Sequence, residues 1–267
     1  MTENRFVKLF GNKKAIIGMI HLPALPGTEE GVNARYQDLV KFALSELETL
    51  EKGGVSGVIV ENFWDTPYLP NEVPPVTIAA MAAIAGQVIS KASIPVGINI
   101  LYNSFRAEIA IARALDAAFV RAEVFTDPSL SETGLIWASS AELKRERVAL
   151  RADDVAIFAD VQGKNTSPVW HRPLLEATLD AQDRGKPDAI VITGAGTGKP
   201  VSFEALQEIR PKIHLPIICG SGVNDKTVKQ LLSVSEGAIV GSFFKKNGII
   251  NQASDLERVQ SLIRAMR

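Results

Sequence analysis

The stretch Thr193-Gly194-Ala195-Gly196-Thr197-Gly198 opens the part of the sequence that decides the fold. Two further glycine-rich turns follow it, Gly220-Ser221-Gly222-Val223 and Gly241-Ser242, and each of the three comes directly after a short apolar run. Such runs are typical of parallel strands that are covered on both faces. The three turns are therefore predicted to lie at the carboxyl ends of buried strands.

The second and third turns are separated by one helix-sized segment. In a barrel of alternating strands and helices, neighbouring turns of this kind usually hold a phosphate group. The predicted phosphate-binding residues are Gly220, Ser221, Gly222, Gly241 and Ser242, because glycine lets backbone amides approach an anion closely. A helix N-terminus beyond Gly222 is expected to add its partial positive charge.

The first turn is interpreted as a ligand-covering segment, with Gly194, Gly196 and Thr197 as its contact residues. Gly194 and Gly198 flank only three residues, and Pro200 follows Lys199, so the turn is not a Walker A loop. Its third glycine, Gly198, also lacks the spacing of a dinucleotide-binding fingerprint. The alternative is a plain barrel turn without a ligand.

Apolar runs recur along the whole chain, and segments with helical periodicity fill the gaps between them. Eight strands and eight helices in strict alternation predict an α/β fold with a single (β/α)8 TIM barrel over residues 1–267. The alternative is an open doubly wound sheet, because periodicity does not prove closure. The predicted strands are residues 15–20, 55–60, 95–100, 118–122, 155–159, 189–192, 215–219 and 238–240.

Composition narrows the class of ligand. The formal net charge is -1 and the signs are interspersed, which argues against a nucleic-acid-binding surface and leaves small or phosphorylated ligands open. Cys219 is the single cysteine of the sequence, which excludes an intramolecular disulfide and favours a reducing compartment. Because it lies in an apolar run, its thiol is expected to be buried and inert.

The chain shows no segment that would take it across a membrane. Residues 1–14 lack the continuous apolar region of a signal peptide, and no stretch approaches the roughly 20 apolar residues of a transmembrane helix. We expect a cytoplasmic protein. The sequence leaves open its assembly into a homo-oligomer and its peripheral attachment to a membrane.

Polar residues at the carboxyl ends of barrel strands point into one pocket. Among them, Glu61 and Asp160 are expected to face each other across the barrel mouth, where two carboxyl groups in different environments can divide into acid and base. His21 is a further candidate for proton transfer, with a simple strand-end contact as the alternative. Glu123 and Lys164 complete the candidate catalytic residues, and the remaining strand-end polar residues are Asn62, Asn99, Arg121, Gln162 and Thr193.

A buried charge network is the alternative to catalysis by the two carboxylates, with Arg121 or Lys164 neutralising one of them. Glu123 lies two residues after Arg121 and shares its face of the strand. A Schiff base on Lys164 is disfavoured, because its loop lies outside the dry interior that would lower its pKa, so binding of a phosphate or carboxylate is expected instead.

No metal site or cofactor is predicted. The HExxH and CxxC motifs are absent, and an oxygen-ligand magnesium site from Glu61, Glu123 and Asp160 is the weaker alternative. His171 and His214 are given no functional role.

Two local patterns carry further expectations. Residues 124–139 form a long loop after the fourth strand, which is a candidate lid. Ser202 is expected to cap the helix that follows it, and Ser254-Asp255-Leu256-Glu257 is interpreted as a capping box with Ser254 as the N-cap.

Taken together, these stretches resemble the BtpA family, which includes the SgcQ-type proteins, and the resemblance covers nearly the whole chain. Asn165 departs from the family pattern, because many members place a histidine near Lys164, and an altered activity is expected if that histidine is a base. The matching stretches are MIHLPALPG (residues 19–27), VENF (60–63), PVGINIL (95–101), FADV (158–161), TGAGTGKP (193–200), GSGV (220–223) and GS (241–242).

The resemblance implies a barrel of the ribulose-phosphate-binding type and a link to photosystem I biogenesis. Two functions follow as hypotheses. The first is an enzyme that acts on a phosphorylated sugar or sugar-like metabolite by isomerase, lyase or glycosidic-bond chemistry. The second is a non-catalytic factor that assembles or stabilises photosystem I reaction-centre proteins. A fold alone does not choose between them.

Overall fold

The apolar runs form strands in the order in which the sequence predicts them. The computed structural model describes residues 3–194 and 196–266. In chain order the strands are β1 (Ala15–His21), β2 (Gly57–Glu61), β3 (Val96–Asn99), β4 (Phe119–Ala122), β5 (Ser129–Ser131), β6 (Gly134–Ile136), β7 (Ala156–Val161), β8 (Ser167–Pro168), β9 (Ala189–Ile192), β10 (Ile217–Cys219) and β11 (Gly237–Val240).

Closure of the main sheet defines the architecture. Eight parallel strands pair around the barrel in the order β1-β2-β3-β4-β7-β9-β10-β11, and β11 pairs back with β1. The predicted (β/α)8 barrel is confirmed. The open-sheet alternative is wrong, because β1 has a hydrogen-bonded partner on both sides.

Helices surround the barrel, and one of α2 to α9 follows each barrel strand. A π-helical turn, Ala181–Gly185, extends α6, and a 3-10 turn, Arg210–Lys212, extends α7. The helices are α1 (Arg5–Phe10), α2 (Tyr36–Gly53), α3 (Pro75–Lys91), α4 (Phe105–Leu115), α5 (Ser140–Ala149), α6 (Leu174–Asp180), α7 (Phe203–Ile209), α8 (Val228–Leu232) and α9 (Leu256–Ala265).

The amino-terminal end of the barrel is filled by aromatic side chains. Phe119 and Phe158 stack inside it with ring centroids 4.4 Å apart, and Phe6 of α1 packs on Phe158 at 5.7 Å. Helix α1 therefore covers this end. Helix α1 is not predicted from the sequence. Its apolar side chains pack into the barrel interior and do not form the apolar face that is typical of a helix on the outside of the barrel.

The candidate lid is ordered as a small sheet. Strands β5 and β6 form a hairpin within residues 124–139, and β8, from the segment after β7, pairs antiparallel with β5. Ile136 of the hairpin is buried in a cluster with Leu101, Tyr102 and Val124. This sheet thus joins the segments after β4 and β7 at the carboxyl ends of the strands.

Two expectations about helix ends are wrong, and one is confirmed. The helix expected beyond Gly222 begins only at Val228, because Asn224 accepts hydrogen bonds from the amides of Lys226 and Thr227 in an intervening turn. Its N-terminus is therefore not directly beyond Gly222. Ser202 caps α7 as expected, through a bond from the amide of Ala205.

The N-cap of α9 is Asp255, and Ser254 serves a different purpose. The amide and hydroxyl of Ser254 both donate to the carboxylate of Glu46 on α2, at 2.7 and 2.8 Å. The same carboxylate accepts from the ammonium of Lys245, and all three residues are buried. This cluster fastens the segment after β11 to α2.

The buried Glu46–Lys245 pair gives a prediction about stability. Glu46→Ala leaves the Lys245 ammonium buried without its partner, and breaking a buried pair in this way costs about 3–5 kcal/mol. We expect urea denaturation to show a loss of that size in the free energy of unfolding.

The matched control is Glu48→Ala, on the same helix. Glu48 pairs with Lys52 in solvent at 2.6 Å, and exposed pairs contribute little. The urea denaturation midpoint of Glu48→Ala should stay at the wild-type value. Equal losses in the two variants would contradict the role given to Glu46.

Candidate active site

Strand periodicity assembles a polar cluster at the carboxyl end of the barrel. Side chains on a strand alternate between its two faces, so the inward series of each strand continues from apolar residues below to polar residues above. In β1 the series is Ile17, Met19, His21. In the other strands the inward series ends at a polar residue or a glycine. These are Glu61 in β2, Asn99 in β3, Arg121 in β4 and then Glu123 after it, Asp160 in β7, Thr193 after β9, Gly220 after β10 and Gly241 after β11.

An ion pair lies at the centre of this cluster. Arg121 donates two parallel hydrogen bonds to Asp160, from Nε at 2.9 Å and from Nη2 at 2.8 Å, and both side chains are 1% exposed. Bidentate arginine–carboxylate pairs are among the strongest charged interactions in proteins. The geometry thus favours the charge-network alternative for Asp160.

Glu61 and Glu123 are bridged by Asn99. The amide of Asn99 donates to Glu61 Oε2 and, at 3.5 Å, to Glu123 Oε1. Both glutamates are buried. The sequence predicted that Glu61 faces Asp160. In the structure, Glu61 is linked through Asn99 to Glu123 instead.

Glu123 is a protonated acid at neutral pH. Burial raises its pKa to about 8; Arg121 opposes this rise, while the charges of Glu61 and Asp160 add to it. Its Oε2 atom has no hydrogen-bond partner among the described residues. A buried carboxylic acid of this kind can donate a proton.

His21 is held as a neutral imidazole. Burial lowers its pKa well below the usual value, and the nearby cations Lys245, Lys164 and Arg121 lower it further. The ring stacks on Phe63 with centroids 4.3 Å apart, and Nε2 lies 3.6 Å from Glu61 Oε1. A neutral imidazole can accept or donate a proton.

Lys164 lies over the barrel mouth, and one expectation about it is wrong. Its pKa is lowered, chiefly by burial and then by Arg121, against the opposing carboxylates Glu61, Glu123 and Asp160. The loop after β7 was expected to leave the ammonium in a setting that does not shift its pKa. The buried hydroxyl of Tyr102 donates a hydrogen bond to the Lys164 carbonyl at 3.0 Å and fastens this loop in place, a contact that no local sequence pattern predicts.

The glycine turns pack directly against one another. Ser221 accepts from the amide of Gly194 at 2.7 Å and donates to the carbonyl of Lys199 at 2.9 Å. Gly222 has φ +68°, and a Cβ there would lie 2.2 Å from Pro200 Cα, so only glycine fits. Ala195 of the first turn lies outside the described residues.

A cavity opens between these turns and the polar cluster. Its lining includes Thr197, Gly198, Gly220, Ser221, Gly222, Gly241 and Ser242, so most of the predicted binding residues meet there. Gly194 and Gly196 contact residues at or next to the cavity instead. The amide of Gly194 donates to the hydroxyl of Ser221, and Gly196 lies beside Asn165. Among the described residues, the charged ones that line it are Arg121 and Lys164, both cations.

Unpaired polar atoms mark the same place. Seven buried side-chain atoms in the described part of the chain lack a hydrogen-bond partner. Buried polar groups normally have partners, so such a cluster indicates groups that a bound molecule would satisfy. Five of the seven lie at the barrel mouth: His21 Nδ1, Asn99 Oδ1, Arg121 Nη1, Glu123 Oε2 and Thr193 Oγ1.

Other candidates lie elsewhere or lack support. His171 and His214 are exposed and away from the cluster. Within residues 3–194 and 196–266, no three His, Cys, Asp or Glu side chains are placed to hold a metal ion, and Asp160 is already occupied by Arg121. Cys219 is buried, and burial raises its pKa to about 11.

Fold and site together define a parallel (β/α)8 barrel with a buried, charged mouth and a cationic cavity beside its last two strands. The model of the BtpA family matches residues 12–267. The chain belongs to the BtpA family. In the described residues, no helix has both the length and the apolar character needed to cross a bilayer.

Two relatives match along almost their whole length. An uncharacterised protein of Methanocaldococcus jannaschii is 36% identical over 94% of this chain and 94% of its own. The photosystem I biogenesis protein BtpA of Synechocystis is also 36% identical, over 96% of this chain and 89% of its own.

Solved structures show the fold at low identity. The (S)-3-O-geranylgeranylglyceryl phosphate synthase of Thermoplasma acidophilum, in complex with its substrate sn-glycerol-1-phosphate, has a TM-score of 0.62 and 14% identity. The match covers 97% of this chain and 96% of the synthase. At this identity the likeness establishes the TIM-barrel fold.

The raised pKa of Glu123 predicts how stability depends on pH. Between the ordinary pKa of 4.5 and about 8, unfolded protein has released this proton while folded protein retains it. The contribution of Glu123 to stability should therefore fall as the pH rises through this window. Glu123→Gln has no proton to release, so its stability relative to wild type should increase by several kcal/mol from pH 5 to pH 8.5, as measured by urea denaturation. A difference that stays constant with pH would show that Glu123 is ionised in the folded protein.

Proposed function

We propose that the protein is an enzyme acting on a phosphorylated sugar or sugar-like metabolite, and that the turns after β10 and β11 hold the phosphate. The observation that carries this proposal is the cavity between those turns, because its only charged lining residues are Arg121 and Lys164. An anion entering the cavity meets two cations and no lining carboxylate.

Backbone groups support the same ligand. The amides of Gly222 and Ser242 donate no hydrogen bond to another described residue, so they are free to donate to a phosphate. A left-handed glycine such as Gly222 exposes its amide at close range. The two turns lie on adjacent strands, as they do where barrels commonly bind phosphate.

The proposed acid–base pair is Glu61 with Glu123. Glu123 holds a proton at neutral pH, and Glu61 accepts a hydrogen bond from Asn99 beside it. Two carboxyl groups in such different states can donate and accept protons in isomerase, lyase or glycosidic-bond chemistry. His21, in contact with Glu61, extends the proton path. Asp160 acts through Arg121, which it orients toward the cavity.

A thermal-shift experiment tests phosphate binding. Inorganic phosphate and ribose 5-phosphate should raise the Tm of the wild type, because a ligand at about 100 times its Kd stabilises by about 2.7 kcal/mol. Ser242→Asp places a negative charge at the site and should abolish both shifts.

Ser242→Asn is the matched control, because it has nearly the same shape without the charge. It should retain most of each shift. Gly222→Asp is less suitable, since its Cβ would clash with Pro200 and the variant would test folding as well as binding. Equal shifts in wild type and Ser242→Asp would place the anion elsewhere.

Turnover is tested on the phosphorylated compounds that bind. Glu61→Gln and Glu123→Gln should each lower turnover by at least 100-fold while the protein stays folded, in line with the contribution of general acid–base catalysis. Asp160→Asn weakens the bidentate partner of the buried Arg121, so it should lower ligand binding and also the stability of the fold. A variant with wild-type turnover would remove that residue from the mechanism.

The second candidate function is an assembly factor for photosystem I reaction-centre proteins. Its support is the Synechocystis relative, but an archaeal relative is equally similar. Expression of this chain in Synechocystis cells that lack their own BtpA separates the two roles. A scaffold would restore photosystem I levels equally with wild type and Glu61→Gln, whereas an enzyme would need the intact glutamate.

A further inference from the structure

A second cavity adjoins the proposed phosphate cavity on the β1 side. Its volume is about 660 Å³, within the range of small-molecule sites. His21 and Ile250 line both cavities, so the two adjoin at these residues. A molecule whose phosphate lies between Gly222 and Ser242 would therefore extend past His21 into this space, which we call the β1-side cavity.

The wall of the β1-side cavity is aromatic. Trp64 and Phe42 are half-buried and line it together with Leu39 and Ile250. Trp64 packs edge-on against Phe63 at 5.1 Å, and Phe63 stacks on His21, so the wall is fixed to the polar cluster. Half-buried aromatic faces at a concave site favour a flat ring in the ligand.

The charges of the β1-side cavity argue against a second anion. Of its two lining cations, Lys245 is held in a buried pair with Glu46, and Arg35 forms a solvent-exposed pair with Asp38 at 2.9 Å. Glu30 and Asp38 add carboxylates to the lining. A sugar bisphosphate would therefore place its second phosphate beside acidic groups.

The polar groups of the lining argue equally against a plain alkyl chain. Asn33, Asn251 and Gln252, whose side chains carry amides, line the same space. Amides both donate and accept hydrogen bonds, and they cost binding energy when an apolar group covers them without a partner. A ring that carries its own donors and acceptors satisfies both the aromatic wall and these amides.

We infer that the β1-side cavity binds a planar nitrogen heterocycle of nucleobase size, joined through its sugar to the phosphate held between the turns after β10 and β11. This inference rests on the proposed function and narrows its substrate class to phosphorylated sugars that bear such a heterocycle. In this arrangement the sugar lies over His21 and Glu61, and the ring lies against Trp64.

Isothermal titration calorimetry with named probes tests the inference. The probes are ribose 5-phosphate, the 5′-monophosphates of adenosine, guanosine, cytidine and uridine, and decyl phosphate. At least one nucleotide should bind wild type 10-fold or more tightly than ribose 5-phosphate, and also more tightly than decyl phosphate. Nucleotides that bind no better than ribose 5-phosphate would overturn the inference, and tighter binding of decyl phosphate would replace the heterocycle with an alkyl group.

Substitutions of residues that line the β1-side cavity test whether the preference for nucleotides arises there. Ala24→Phe adds a ring to the cavity lining and should remove the nucleotide advantage while ribose 5-phosphate binds as before. Trp64→Ala, which cannot overfill the cavity, should lower the advantage as well. The matched control is Ala141→Phe, at an exposed position on α5, which should behave as wild type. An undiminished nucleotide advantage in both Ala24→Phe and Trp64→Ala would overturn the inference.

The outcomes also separate the inference from the proposed function. Ser242→Asp should weaken ribose 5-phosphate and nucleotides alike. If ribose 5-phosphate binds and no nucleotide is preferred, the phosphate site stands and the heterocycle site fails. If no phosphorylated probe binds wild type, the proposed function fails and the inference fails with it.

Discussion

The buried ion pair between Arg121 and Asp160 is the interaction on which the barrel mouth depends. A guanidinium inside a barrel is tolerated only with a partner, and Asp160 supplies two hydrogen bonds to it. The remaining Nη1 atom has no hydrogen-bond partner among the described residues, and Arg121 is one of the residues that line the cavity. The same guanidinium lowers the pKa values of Lys164 and His21 and limits the rise at Glu123. Burial is the larger cause of each of these shifts, and the charge of Arg121 adds to it at Lys164 and His21 and opposes it at Glu123.

Membership of the site was predictable because it follows from the period of two along a strand. His21, Glu61, Asn99 and Asp160 end apolar strands, and the sequence alone places them at one mouth. The turns after β10 and β11 were predictable for the same reason, since a glycine turn after a buried strand has one location in a barrel.

Pairing within the site was not predictable, because it depends on side-chain reach across the barrel. The sequence could not show that Arg121 takes Asp160, which leaves Glu61 beside Glu123. Helix α1 was missed because its phenylalanines belong to the barrel interior, and Ser254 was misjudged because a distant glutamate on α2 accepts its bonds. Long-range contacts of this kind leave no local pattern.

The central claim is that an oxyanion binds between Gly222 and Ser242, with Lys164 and Arg121 facing it. A crystal structure of the protein soaked in tungstate, whose anomalous scattering locates the anion directly, tests this claim. The account predicts the strongest anomalous peak within hydrogen-bond distance of the amides of Gly222 and Ser242. A strongest peak elsewhere, with none between these turns, would contradict it.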